Sequence, residues 1–219
     1  MKELLRSYNI FSAQLLTRQI LKSIPVFVGM SVVFTLLEYL FEGTVDFMGG
    51  FWYGMIMVFA PMFGCILLSN IYAYNQPINP GYRYFHSISE SALHFKRAII
   101  ASNIFSLCIT AVFAVISFVV DTFIMGENIT LVICISVGLA MPGCINLLGY
   151  VKNTLLRLLV VMPICCLGGF FFGFSSGEDD SVTVNPIASA IIIAVCAALY
   201  ITGFIYAVRV SEKKWGEAE

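Results

Sequence analysis

Polar residues arrive in this chain in clusters, and the apolar runs between them set the expected architecture. The first 22 residues differ from the rest: apolar and polar groups alternate at helical spacing, with Leu4, Tyr8, Phe11 and Leu15 along one side and Arg6, Gln14, Thr17 and Arg18 elsewhere. That pattern predicts an amphipathic helix lying in the membrane interface. Apolar runs follow at 24–41, 51–71, 98–120, 129–149, 155–174 and 187–208, each near the roughly 20 residues needed to cross a hydrocarbon core about 30 Å thick. The expected fold is therefore an all-α integral membrane protein with six transmembrane helices. It divides into an N-terminal interfacial helix over 1–23, a transmembrane domain over 24–208 and a tail over 209–219. Pro25 suits the first turn of span one, whose 18 residues from Ile24 to Phe41 make it short or tilted.

The longest polar interruption runs from Tyr74 to Arg97, YNQPINPGYRYFHSISESALHFKR. Pro77, Pro80 and Gly81 end any helix arriving from span two. Ser87 and Glu90 have the spacing of a capping box, and from Ile88 no Pro or Gly intervenes before Gly126. A single helix is expected to start as a polar segment along the membrane and continue as span three. On the other face, GGFFFGF (168–174) and the acidic stretch to Pro186 read either as a re-entrant dip into the outer leaflet or as a frayed helix end with an acidic loop.

Composition makes the membrane assignment firm, because the chain is 59% hydrophobic and only 11% charged, where a soluble domain carries about a quarter charged residues. Net charge is −1, which argues against a nucleic-acid partner. The placement of charge says more than its sum. In the six-span arrangement all 12 basic residues fall on one face: Lys2, Arg6, Arg18 and Lys22; Arg83, Lys96 and Arg97; Lys152 and Arg157; Arg209, Lys213 and Lys214. Glu42, Asp46, Asp121, Glu127, Glu178, Asp179 and Asp180 occupy the other. The positive-inside rule then makes both termini cytoplasmic; the expected location is the plasma (inner) membrane of a bacterium. No cleavable signal is expected, since no small-residue cleavage site follows the first apolar run.

Candidate chemistry is sparse. The seven cysteines lie inside apolar runs without a CxxC pair and read as small buried hydrophobes. Glu38 is the one carboxylate clearly within a span, close enough to its outer end to reach the interface. His86 and His94 lack nearby carboxylate or cysteine ligands, and neither HExxH nor GxxxxGK[ST] occurs. Span three carries Asn103, Ser106, Thr110 and Ser117 on one face with Ala114. A small polar stripe of this kind serves either helix packing or the wall of a translocation path. Pro61 with Gly64, and Pro142 with Gly143 and Asn146, mark sites where spans two and four kink.

The segment from Asn79 to Lys96, NPGYRYFHSISESALHFK, resembles the turn between spans two and three of membrane subunits of the type-2 ABC exporter class. In that family an aromatic residue precedes a Ser-Leu-Pro-Val-Ser-like turn and a basic residue begins the next span. Phe85, Ser87, Ile88, Ser91 and Lys96 occupy the corresponding places, with Ser89 where proline is common. The resemblance implies that this segment is a short cytoplasmic coupling helix, with Tyr84, Phe85, Ser87, Glu90 and His94 contacting an ATPase and Asn103, Ser106 and Thr110 lining the path. It further implies a permease half paired with a second copy of this chain or a similar permease. A separate ABC ATP-binding subunit would hold ATP and Mg, this chain carrying no cofactor and catalysing no reaction itself. Phe-rich walls suit a lipidic, drug-like or amphipathic peptide cargo, and the other partners are membrane lipids.

Three readings compete. A substrate-binding membrane subunit of an energy-coupling-factor uptake system also has six spans, but span one lacks the AxxxA pattern those proteins use. A membrane-embedded enzyme would need acid, base or metal ligands that the spans scarcely supply. A non-catalytic accessory protein is the last.

Overall fold

A computed structural model of the chain describes residues 2–11, 29, 33, 64–75, 79, 81–120, 122, 129–151 and 186–216. Among these residues the secondary structure is helical, without strands: α1 (Lys2–Phe11), α2 (Gly64–Ala73), α3 (Tyr82–His86), α4 (Ser91–Val120), α5 (Ile129–Leu148) and α6 (Pro186–Gly216). α4, α5 and α6 are long and apolar enough to cross a membrane, and they match the third, fourth and sixth expected spans. The protein is a helical membrane protein. Spans one and five, the first part of span two and the acidic outer segment before Pro186 lie outside the described residues, apart from Gly29 and Val33, which are helical.

Apolar side chains gain nothing from leaving lipid for another helix, so close backbone approach and polar contacts have to hold such a bundle together. Glycines supply the approach. Gly64 of α2 sits against Ser106 of α4, Gly138 of α5 against Thr110 of α4, and Gly143 of α5 against Leu199, Tyr200 and Gly203 of α6. These contacts also fix direction. Pairing of Asn103 with Asn146 and of Thr110 with Gly138 makes α4 and α5 antiparallel. Gly143 beside Tyr200 and Tyr150 bonded to Ala207 make α5 and α6 parallel. α2, α5 and α6 thus run one way and α4 runs against all three.

α4 has 30 residues and α6 has 31, about 45 Å of helix each at 1.5 Å per residue, so both extend beyond a 30 Å hydrocarbon core. At one end of the bundle these overhangs meet α1, α3 and the turn after α5. The stretch expected as a tail from residue 209 continues α6 to Gly216, with Lys213 and Lys214 in its last turn, where cations complement the helix dipole.

α1 buries Ser7, Tyr8 and Phe11, with Leu4 partly covered, the i, i+3, i+4, i+7 face of the expected amphipathic helix. That face is covered by protein: Tyr8 stacks on Phe105 at 5.2 Å, and Phe11 lies among Phe85, Phe95 and Trp215. α1 is therefore docked on α4 through the side the sequence pattern marks as apolar.

The start of α4 also differs from expectation. Ser87 does not cap it; its hydroxyl turns back and donates to the Tyr84 carbonyl at 2.7 Å, closing α3. Glu90 takes a left-handed conformation, φ 58°, so α3 and α4 are separate helices with a break where one continuous helix was expected. A non-glycine residue there costs about 1 kcal/mol. Glu90→Gly is expected to relieve it, slowing exchange of the His94 amide, which donates to Glu90 O at 3.0 Å, about fivefold. Unchanged or faster exchange on mass spectrometry would mean that the break is not a point of strain.

Candidate functional site

Two regions concentrate polar function, one at the basic end of the bundle and one inside it. At the basic end, Asn79 accepts the Gly81 amide on its side-chain oxygen at 2.9 Å, which tightens the turn into α3. Five residues cannot hold a helix in water unaided, so α3 depends on what its side chains reach. Phe85 packs between Phe11 (5.0 Å) and Tyr74 (4.5 Å), and the His86 ring lies flat on Trp215 at 3.9 Å. Trp215 is itself fixed: its indole N–H donates to Ser91 Oγ at 2.8 Å and its ring meets Phe95 at 4.5 Å.

Of the five residues expected to form a contact surface, Tyr84, Ser87 and Glu90 are exposed, Tyr84 to 68%. Arg83 and Ser89 are exposed beside them. Phe85 and His94 are engaged within the chain. The Ser7 hydroxyl lies 2.9 Å from both the Glu3 carbonyl oxygen and His94 Nδ1, joining α1 to α4. Two ion pairs, Arg97 with Glu3 at 2.8 Å and Lys96 with Glu212 at 2.9 Å, brace α1 and α6 against α4; exposed pairs of this kind contribute about 0–1 kcal/mol each. Behind them, burial pushes the Tyr150 phenol up, with the neighbouring Tyr206 adding to the rise. Tyr150 so stays a donor to the Ala207 carbonyl, 3.1 Å away, throughout the neutral range.

Inside the bundle, the stripe on α4 faces protein. Asn103, Ser106, Thr110 and Ser117 are all buried. Asn103 exchanges amide contacts with Asn146 of α5, Asn146 Nδ2 donating to Asn103 Oδ1 at 2.8 Å, while Tyr72 of α2 donates to Asn146 Oδ1 at 3.0 Å. Asn103 Nδ2 also reaches the Ile99 carbonyl at 2.9 Å, and the Tyr200 hydroxyl of α6 approaches the Asn103 carbonyl at 3.5 Å. One polar cluster therefore joins four helices. Thr110 satisfies its hydroxyl on Ser106 O at 2.9 Å, whereas the buried hydroxyls of Ser102 and Ser106 have no hydrogen-bond partner among the described residues.

Sequence reasoning found Asn103, Ser106 and Thr110 but not Tyr72 or, as Asn103's partner, Asn146, which stood out only beside a Pro-Gly kink. His86 was considered only as a metal ligand, and Trp215 was missed. Its one signal was an indole in a polar run following an apolar span, the usual mark of an interface anchor. Among the described residues no three His, Cys, Asp or Glu side chains come together as metal ligands would.

Compared with protein-family models, curated proteins and solved structures, the chain gives no match.

Proposed function

We propose that the chain is the permease half of an ATP-driven ABC exporter for a hydrophobic or amphipathic substrate, working with a second permease half and a separate ATPase subunit. The observation that carries this reading is α3: a short helix set between two breaks at the basic end of the bundle, presenting Tyr84, Ser87 and Glu90 outward. A surface that only met lipid headgroups would need no such projection. Lys2 and Arg6 of α1, Arg83 of α3, and Arg209 and Lys213 of α6 are exposed on the elements that meet at this end, the charge pattern of a cytoplasmic face. Both α1 and the end of α6 lie there, in keeping with cytoplasmic termini.

The six-span count belongs to the same proposal. The parallel course of α5 and α6 supports it, as does the length of the apolar run 155–174, which suits one crossing. In this reading Asn103, Ser106 and Thr110 line the path when α4 parts from α2 and α5.

The test is co-purification of the tagged chain in mild detergent from its host. Recovery of an ATP-binding subunit in equal amount is expected. Tyr84→Ala and Glu90→Ala should each weaken that association by about 2 kcal/mol, roughly 30-fold, as truncation of an exposed interface anchor does. Both positions are clear of the α1 and α6 contacts, so the bundle should keep its stability. Phe85→Ala is the poorer probe, since its ring also holds Phe11. Full ATPase recovery with both variants would overturn the contact assignment, and recovery of the chain alone would favour an accessory protein.

A further inference from the structure

We propose that Trp215 is a positioning residue: the overhang of α6 is the seat that sets the orientation of α3, and with it the surface formed by Tyr84, Ser87 and Glu90. The functional part of this statement rests on the reading of α3 as a partner contact, while the positioning itself does not.

The backbone of α3 makes few close contacts with α4 and fewer still with α1 or α6, so side chains have to set its orientation. The left-handed residue at Glu90 interrupts the helix between them, so α4 cannot impose a direction on α3 through continuous hydrogen bonds. Two ring contacts do so instead. Phe85 enters the Phe11 and Tyr74 pair, and His86 lies on Trp215 with an interplanar angle of 5°. The second contact is the more restrictive, because a flat stack fixes both the height and the tilt of α3. Trp215 can serve as a reference because it is immobilised from other sides: 3% exposed, bonded to Ser91, packed on Phe95 and edge-on to Phe11. Residues 209–216, outside the hydrocarbon by length and charge, thus belong to the contact machinery.

The experiment uses the full chain in lipid nanodiscs, with trypsin cleavage at the exposed Arg83–Tyr84 bond followed by peptide mass spectrometry. Cleavage within a helix needs local opening, so its rate reports how firmly α3 is seated. Trp215→Leu should accelerate cleavage about tenfold, the loss of one ring stack and one hydrogen bond. Trp215→Phe, which keeps a ring on His86, should restore most of the protection. His86→Ala removes the stack from the α3 side and leaves the Ser91 bond alone, so it decides the question should Trp215→Leu fail to fold; an acceleration of about fivefold, the loss of the stack alone, is expected. In a Trp52→Phe background, Trp215 is the sole indole, and its emission should shift when the ATPase partner binds.

Wild-type cleavage rates in His86→Ala, or in a folded Trp215→Leu, would overturn the proposal. Faster cleavage in both, in a chain that recruits no ATPase, would leave Trp215 as the seat of α3 and remove the transporter reading instead. Indole emission that stays constant on binding of the partner would reject the link from α3 to α6 while leaving the partner assignment intact.

Discussion

Replacing Gly203 with alanine is expected to be among the most damaging single substitutions in the described bundle, lowering its stability by about 3 kcal/mol, the upper part of the range for overpacking a close contact. A Cβ at 203 would overlap the Gly143 carbonyl oxygen and lie 3.0 Å from its carbon. The reverse substitution is no better, since a Cβ at 143 would lie 2.9 Å from the Leu199 carbonyl oxygen and from Tyr200 N and Cα. Every obstructing atom is backbone, so no rotamer change relieves the clash and α5 must move away from α6. Gly138→Ala provides the contrast. There the new methyl overlaps Cγ2 and Oγ1 of Thr110, which Thr110→Ala removes while leaving its Cβ 2.9 Å away, so a cost of about 1–2 kcal/mol with partial recovery in the double variant is expected. Unfolding by SDS titration in mixed micelles measures both. Equal tolerance of Gly203→Ala and Gly138→Ala would show that α5 and α6 do not cross at backbone contact.

Those crossings also show which parts of the fold the sequence could and could not disclose. Span positions were readable because apolar length is a direct demand of the bilayer, and α4, α5 and α6 overlap the apolar runs at 98–120, 129–149 and 187–208. The common end of α1, α3 and the end of α6 was readable from basic residues alone. Pairing was not. Asn103 and Asn146 are 43 residues apart in sequence, and nothing in either local pattern says that they meet. The stripe on α4 fitted packing and path lining equally well, because both place small polar groups toward protein. Local rules failed at Ser87 and Glu90 for a different reason. The spacing of a capping box was present, but Ser87 has a nearer acceptor at Tyr84, and the ring contacts of Phe85 and His86 hold α3 at an angle that a continuous helix would not allow. Tertiary packing there overrode a motif worth about 1 kcal/mol.

Asn146→Leu should cost about 2 kcal/mol by leaving two buried groups, the Tyr72 hydroxyl and the Asn103 amide oxygen, without the partner each now has. Asn103→Leu should cost less, because Asn146 Oδ1 keeps its bond from Tyr72. If the penalty comes from stranded groups and not from lost attraction, removing all of them should restore stability. The triple variant Tyr72→Phe, Asn103→Leu, Asn146→Leu is therefore expected to recover to within about 1 kcal/mol of the wild type, since paired apolar replacements in lipid forfeit only modest interhelical bonds. A triple variant as unstable as Asn146→Leu would mean that shape, not hydrogen bonding, sets the contact. The same protein separates the two uses of the α4 stripe. An adhesive cluster can be replaced by leucine without consequence once stability returns. A face that opens to cargo cannot, because the open state would expose leucines where amides had been and would be disfavoured in a wet path. Under the proposed function the stable triple variant should bind its ATPase normally through α3 and yet fail to export. Normal export by that variant would confine Asn103 and Asn146 to holding the bundle closed.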